Sequence, residues 1–205
     1  MPLLDKKSVG NGFLALWRRE ESTMQLLDRL VLSPTEQSYY EQIAQQPKRR
    51  KEWLIWHILV REFLGKEVFT DYDLQGCPTL VNHPGYISVS HSNDIVVLYW
   101  QPERCGVDIE DCGRNFERVS KRYISPEEWQ LQGASDSNRF QALAWCAKET
   151  AYKYAGVEGL DFIRDIRITS IDIEKSTLLI QLPGGQEIPL KYGFPQGHCI
   201  AYTLF

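Results

Sequence analysis

Gly106-Val107-Asp108-Ile109-Glu110 is the stretch from which the fold and the chemistry of this chain can both be read. β-Branched residues alternate with carboxylates, and side chains two apart on a strand share a face. Asp108 and Glu110 therefore project together while Val107 and Ile109 enter a core. Two neighbouring carboxylates repel. They are tolerated where water solvates them or where a hard cation lies between them, and Mg²⁺ takes a few carboxylate oxygens together with phosphate and water. On this stretch alone a solvated strand end and a cation site both remain open.

Downstream, Asn138 to Ala155 reads as a helix around Trp145-Cys146-Ala147-Lys148-Glu149-Thr150-Ala151-Tyr152-Lys153. Phe140, Leu143, Ala147, Ala151 and Tyr154 form one buried stripe, which leaves Trp145, Glu149 and Lys153 aligned at i, i+4 and i+8 on another face. A surface ion pair between Glu149 and Lys153 and a functional pair fit this spacing equally. Upstream, Ile87 to Asn93 is a strand running into a polar turn, and Ser90-His91-Ser92 offers hydroxyl and imidazole donors at its end. Adjacent strand residues point apart and no Gly-x-Ser-x-Gly elbow is present, which argues against a serine-hydrolase triad. The run Lys48-Arg49-Arg50-Lys51 opens a helix at the positive end of its own dipole, where an anion belongs.

Around these segments the spacing predicts a first strand over 12–18 and a helix from Ser33-Pro34 towards Gln46. A second helix follows from the basic run to Phe63, with Trp53, Leu54, Ile58 and Leu59 on its apolar face. From Val68 to Glu110 short β-rich runs (79–81, 86–90, 95–100, 106–110) predict one small sheet. Helical stretches over 114–123, 126–132 and 138–155 then precede strands near 166–173, 177–182, 187–192 and 199–204. Helices first and strands after, twice, implies an α+β chain of two pseudo-duplicated lobes, 1–104 and 105–205, with a cleft between them.

Composition narrows the function. The 205 residues carry 23 Lys+Arg against 27 Asp+Glu, a net charge of −4. That balance gives no global basic field for nucleic acid or a membrane surface and favours small ligands or protein partners. No apolar run approaches the roughly 18 residues that span a bilayer, and the first ten residues lack a signal-peptide pattern; a cytoplasmic protein is expected. Five cysteines without a C-x-x-C pair argue against a disulfide framework or a zinc site and read as reduced, mostly buried thiols.

The Gly-Val-Asp-Ile-Glu strand followed by Trp-x-x-Lys-Glu-x-x-x-Lys, with Ser90-His91-Ser92 upstream and Gly156-Val157-Glu158-Gly159-Leu160 as the helix exit, resembles the 4′-phosphopantetheinyl transferase superfamily. The resemblance is to its two-lobed, surfactin-synthetase-activating type, whose members activate carrier proteins of peptide, polyketide and fatty-acid synthesis. It implies transfer of the 4′-phosphopantetheine arm of coenzyme A to a serine of an acyl or peptidyl carrier protein, with release of adenosine 3′,5′-bisphosphate. It further implies that Asp108, Glu110 and Glu149 hold Mg²⁺, that Glu149 helps deprotonate the serine, and that Lys153 assists the leaving bisphosphate. Ser90, His91, Lys148 and Arg49 or Arg50 would contact coenzyme A, and Arg114, Arg118 and Arg122 would receive the acidic carrier. Two departures stand out: Cys77 lies where relatives carry lysine in a Gly-Lys-Pro turn, and His57 where an arginine is common. Both bear on coenzyme A affinity and motivate a competing reading as a non-catalytic coenzyme A or carrier-protein binding module. The carboxylates alone would suit a metal-dependent phosphohydrolase. A monomer is expected, since two lobes would complete one cleft.

Overall fold

The computed structural model describes residues 3–133 and 136–205. The chain divides into two compact units, Met1–Arg104 and Cys105–Phe205. Both are mixed α+β, and every strand pairing among the described residues is antiparallel.

In the first unit β1 (Leu3–Val9) and β2 (Gly12–Arg18) form a hairpin turned at Gly10, whose φ of 54° glycine adopts without a Cβ penalty. Three helices follow: α1 (Thr23–Leu27), α2 (Pro34–Gln42) and α3 (Pro47–Phe63). The strands β3 (Phe69–Tyr72), β4 (Pro78–Val81), β5 (Tyr86–Ser92) and β6 (Ile95–Gln101) complete the unit. The main sheet has the order β1-β2-β6-β5, with β3 and β4 as a separate ribbon. α3 lays Leu54, Ile55 and Leu59 against Trp17 and Leu98 of that sheet to make the core.

The second unit opens on β7 (Val107–Asp111) and continues with α4 (Glu117–Ser120) and α5 (Pro126–Trp129). The long α6 (Ser137–Ala155) leads to β8 (Arg167–Asp172), β9 (Thr177–Gln181), β10 (Glu187–Gly193) and β11 (His198–Thr203). Its sheet order is β7-β11-β10-β9-β8. Asp136 caps α6 by accepting from Arg139 N, and Gly156 ends it in the left-handed conformation that glycine favours. The small residues Ala144, Ala147 and Ala151 let α6 settle close to the sheet.

Several expectations need correction. The runs between Val68 and Glu110 do not make one sheet: β5 and β6 join the first hairpin, β3 and β4 pair with each other, and β7 pairs with β11. Local alternation signals a strand but carries no information about its partner. In both units strands precede the helices as well as follow them, because β1, β2 and β7 begin each unit. The helix from Pro34 stops at Gln42, and the stretch 114–123 yields only the single turn of α4. The five cysteines are all free, three of them buried.

The same device appears in each unit. In the first, Ser33 caps α2 and Glu36, at the third helical position, returns its carboxylate to Ser33 N at 2.9 Å. Glu36 is 2% exposed. It accepts from Arg61 of α3 through both oxygens at 2.7 Å and from Thr70 N of β3 at 2.9 Å, and Arg61 also donates to the Val68 carbonyl. In the second, Ser125 caps α5, and Glu128 accepts from Ser125 N at 2.8 Å, from Lys148 of α6 at 2.7 Å and from Ile168 N of β8 at 2.7 Å. Each brace ties a short helix, the long helix and the next strand through one buried carboxylate.

His57 belongs to the first brace. It is fully buried, with Nδ1 2.7 Å from the Trp53 carbonyl and Nε2 2.7 Å from Thr70 Oγ1. Nδ1 therefore donates to that carbonyl, while the Thr70 hydroxyl lies between Nε2 and Glu36 Oε1, to which it donates at 3.1 Å. Burial first, and the Arg61 charge as well, hold its pKa well below the usual histidine value. His57, expected to bear on coenzyme A affinity, is thereby an interior residue whose ring nitrogens both meet protein groups.

Two measurements check these networks. Arg61→Ala leaves the Glu36 carboxylate buried and uncompensated and is expected to cost about 3–5 kcal/mol in urea unfolding. Because the unfolded state takes a proton on His57 near pH 6.5 and the folded state does not, its contribution to stability is complete above that value and lost as the pH falls below it. The unfolding midpoint should drop on acidification from that point, and His57→Asn should remove that part of the slope.

Candidate functional site

The second unit assembles three of the expected carboxylates. β7 enters beside α6 at Gly106, where a Cβ would overlap the Thr150 carbonyl oxygen and lie 3.1 Å from Tyr154 N. Glycine is the residue that permits this approach. The helix covers the strand so closely that Asp108 is 4% exposed, which removes the solvated strand end, while Val107 and Ile109 are buried on the other face. Lys153 Nζ lies 2.7 Å from Asp108 Oδ1 and donates to the Val107 carbonyl at 3.2 Å. Glu110 Oε1 accepts from Trp145 Nε1 at 2.9 Å and from Arg114 at 3.2 Å. Trp145, Glu149 and Lys153 thus share the face of α6 turned to β7, as their spacing predicts.

Glu149 completes the group. Burial, then the like charge of Asp108, push its carboxyl up to about 7; Lys153 and Arg114 pull the other way, and Glu110 adds to the rise. Burial and Asp108 also raise Glu110. Asp108, Glu110 and Glu149 therefore lie near enough to repel one another, with Lys153 and Arg114 as internal counter-charges. Among the described residues no three acidic, histidine or cysteine side chains stand close enough together to grip one ion. Mg²⁺ asks for only one or two protein carboxylates when phosphate and water supply the rest, so hard oxygen donors under mutual repulsion suit such an ion.

Lys148 is elsewhere. It is fully buried, and its ammonium is committed to Glu128 and, at 2.6 Å, to the Phe162 carbonyl. The expectation that it contacts coenzyme A is corrected, since a step of one residue, about 100° around the helix, turns it away from the face that carries Glu149. Tyr154, expected in the buried stripe, is only partly buried.

In the first unit Arg49 and His91 line one cavity of about 430 Å³ with Glu52, Tyr39, Trp53, Trp56 and Tyr72. Arg49 donates to Tyr39 Oη at 2.8 Å, and His91 Nε2 lies 3.5 Å from Glu52 Oε2. Arg50, the alternative to Arg49, instead stacks its guanidinium 4.0 Å over the Tyr40 ring and is absent from this lining. Ser90 and His91 fall on opposite faces of β5, Ser90 buried and His91 exposed, as strand alternation requires. Cys77 lies next to Gly76 and Pro78, both in the cavity wall, and its N–H is held by Asp73 at 2.8 Å. Arg118 and Arg122 are exposed, whereas Arg114 is paired with Glu110.

Sequence reasoning missed Glu52 and Glu128. Glu52 is the anion that the basic helix start called for: Arg19 pairs with it at 3.1 Å and Lys48 at 3.8 Å. Its i+4 spacing from Lys48 was a usable signal. Glu128 was announced by Ser125-Pro126-Glu127-Glu128, a capping box of the same form as Ser33-Pro34-Thr35-Glu36.

Gly106→Ala tests the strand–helix approach. Its Cβ meets backbone, which cannot swing aside, so the substitution should cost about 3 kcal/mol, the upper end of ordinary overpacking, in chemical denaturation.

No helix among the described residues is long and apolar enough to cross a membrane. No curated protein matches the chain. The segment bearing Asp108, Glu110, Glu149 and Lys153 does have a family counterpart: residues 104–203 match the model of the 4′-phosphopantetheinyl transferase superfamily, which supports phosphopantetheine transfer as the general class of activity.

Proposed function

We propose that this protein transfers the 4′-phosphopantetheine group of coenzyme A to a serine of an acyl or peptidyl carrier protein, with Mg²⁺ as cofactor. The observation that carries the reading is the convergence of Asp108, Glu110 and Glu149, from a strand and a helix distant in sequence, beside Lys153. The family match over the same segment supports it.

The serine oxygen attacks the phosphorus that bears the pantetheine arm, and the bond from that phosphorus to the bridging oxygen of adenosine 3′,5′-bisphosphate breaks. Glu149 takes the serine proton, a task suited to a carboxylate whose burial and neighbours raise its proton affinity. Lys153, on the same helix face, meets the charge that develops on the departing bisphosphate. One or two of Asp108, Glu110 and Glu149 would hold Mg²⁺ together with phosphate and water, and when bound it neutralises pyrophosphate charge. Arg114 and Trp145 fix the Glu110 carboxylate so that it presents one orientation. Arg49 and His91 of the first unit are assigned to the phosphates of coenzyme A, with the aromatic wall of their cavity as an apolar support. Arg118 and Arg122, exposed cations, are assigned to the acidic carrier.

The proposal includes the two-lobed, surfactin-synthetase-activating type with pseudo-duplicated lobes. Two facts support it: each unit contains a Ser-Pro-x-Glu brace, and in each the strand preceding the helices (β2, β7) pairs with the unit's last strand (β6, β11). A cytoplasmic monomer completes the proposal; five free cysteines suit a reducing compartment. The non-catalytic reading drew on Cys77 and His57, and the burial of His57 in the first brace leaves only Cys77 behind it.

Incubation with apo carrier protein, coenzyme A and Mg²⁺ should add one phosphopantetheine mass to the carrier, read by intact-mass spectrometry. Glu149→Gln is expected to slow the gain by about 10²–10⁴-fold, the scale of losing a positioned base. Asp108→Ala and chelation by EDTA should both abolish it, with Mg²⁺ restoring only the chelated wild type. Variants at Glu149 and Asp108 that modify the carrier as fast as wild type would overturn the mechanism.

A further inference from the structure

We infer that Lys148 is a positioning residue: with Glu128 it fixes the rotation of α6 and the seat of Trp145, and through them the placement of Glu149 and Glu110. The inference rests on the transferase reading for its kinetic test but has a readout independent of it.

The geometry forms a short chain of contacts. Lys148 Nζ is 2.7 Å from Glu128 Oε1 and 2.8 Å from Glu128 Oε2. Glu128 is itself held by Ser125 N and Ile168 N, so the ammonium is anchored to the start of α5 and the start of β8. Because Glu149 is the next residue on the helix, rotation of α6 about its axis cannot change for one without changing for the other. The third bond from Lys148, to the Phe162 carbonyl at 2.6 Å, holds the segment after α6. The Phe162 ring packs against Trp145 with centroids 5.6 Å apart, and the Trp145 indole donates to Glu110. One buried cation thereby supports two of the three acidic groups from behind, touching neither.

A single comparison inside the molecule argues that geometry, and not the identity of the cation, is what the position requires. The first unit builds the corresponding brace with arginine: Arg61 holds Glu36 and the Val68 carbonyl, and Thr70 N replaces Ile168 N. An arginine should therefore serve at position 148, whereas an uncharged side chain leaves Glu128 buried without its counter-charge.

The test is steady-state carrier modification by Lys148→Met, Glu128→Gln and Lys148→Arg, together with the indole N–H resonance of Trp145, assigned by its absence in Trp145→Phe. Lys148→Met and Glu128→Gln should each lower kcat by about 10²-fold, the scale of a misplaced reacting group. Their KM for coenzyme A should stay within about twofold, and the double variant should be no worse than either single one. Lys148→Arg should keep kcat within about threefold of wild type. The Trp145 resonance should shift in the first two variants and return towards its wild-type position in Lys148→Arg. A loss that appears in KM for coenzyme A with kcat retained would make Lys148 a ligand contact and overturn the inference, as would an unchanged kcat in Glu128→Gln. If Lys148→Met does not fold, Glu128→Gln and Lys148→Arg decide the matter alone. If the wild type transfers nothing, the transferase reading fails and the brace stands or falls on the Trp145 resonance.

Discussion

The contact between β7 and α6 at Gly106 governs the chemistry of the second unit. A strand and a helix normally keep a side chain's width between their backbones; here the missing Cβ lets the Thr150 carbonyl occupy that space. Thr150 Oγ1 then reaches the Ala201 carbonyl of β11, and Thr203 Oγ1 accepts from Gly106 N, so the approach is locked from two sides. The result is a carboxylate, Asp108, buried under a helix yet within 2.7 Å of a lysine carried by that helix. Burial without such a partner would be prohibitive for a charge.

Like charges brought together under burial are costly, and the surrounding structure bears that cost. Burial first, and the charge of Asp108 second, raise the proton affinity of Glu149 and Glu110, with Arg114 offsetting part of the rise at both and Lys153 at Glu149. A group that gains from a divalent ion or from a substrate proton is therefore maintained by packing elsewhere. Local strain of this electrostatic kind is tolerable because α6 is held at both ends, by Asp136 at its start and Gly156 at its finish, and in its middle by Lys148.

The two braces show how similar local chemistry serves two units with different cores. In each, a serine cap and the glutamate three residues on satisfy the helix start, and the same carboxylate then reaches into the interior to a cation on the long helix and to a strand N–H. One buried anion satisfying backbone donors from separate segments is a way to fix their mutual geometry that apolar packing, which is non-directional, does not supply.

Much of this was legible in the sequence, for physical reasons. Alternation in Gly106 to Glu110 and the i, i+4, i+8 spacing of Trp145, Glu149 and Lys153 set which side chains share a face, because backbone geometry fixes those periods. The Ser-Pro starts of α2 and α5 and the glycine end of α6 were equally local. Tertiary structure alone decided the partners: that β7 pairs with β11 and not with β6, that Lys148 and His57 turn inward to carboxylate-centred networks, and that Arg49, not Arg50, shares a cavity with His91. A lysine or histidine on a helix reads the same whether it meets water, a ligand or a buried glutamate. What separates these cases is the segment that packs above it, and that is settled by contacts between residues far apart in the chain, where local periodicity is silent.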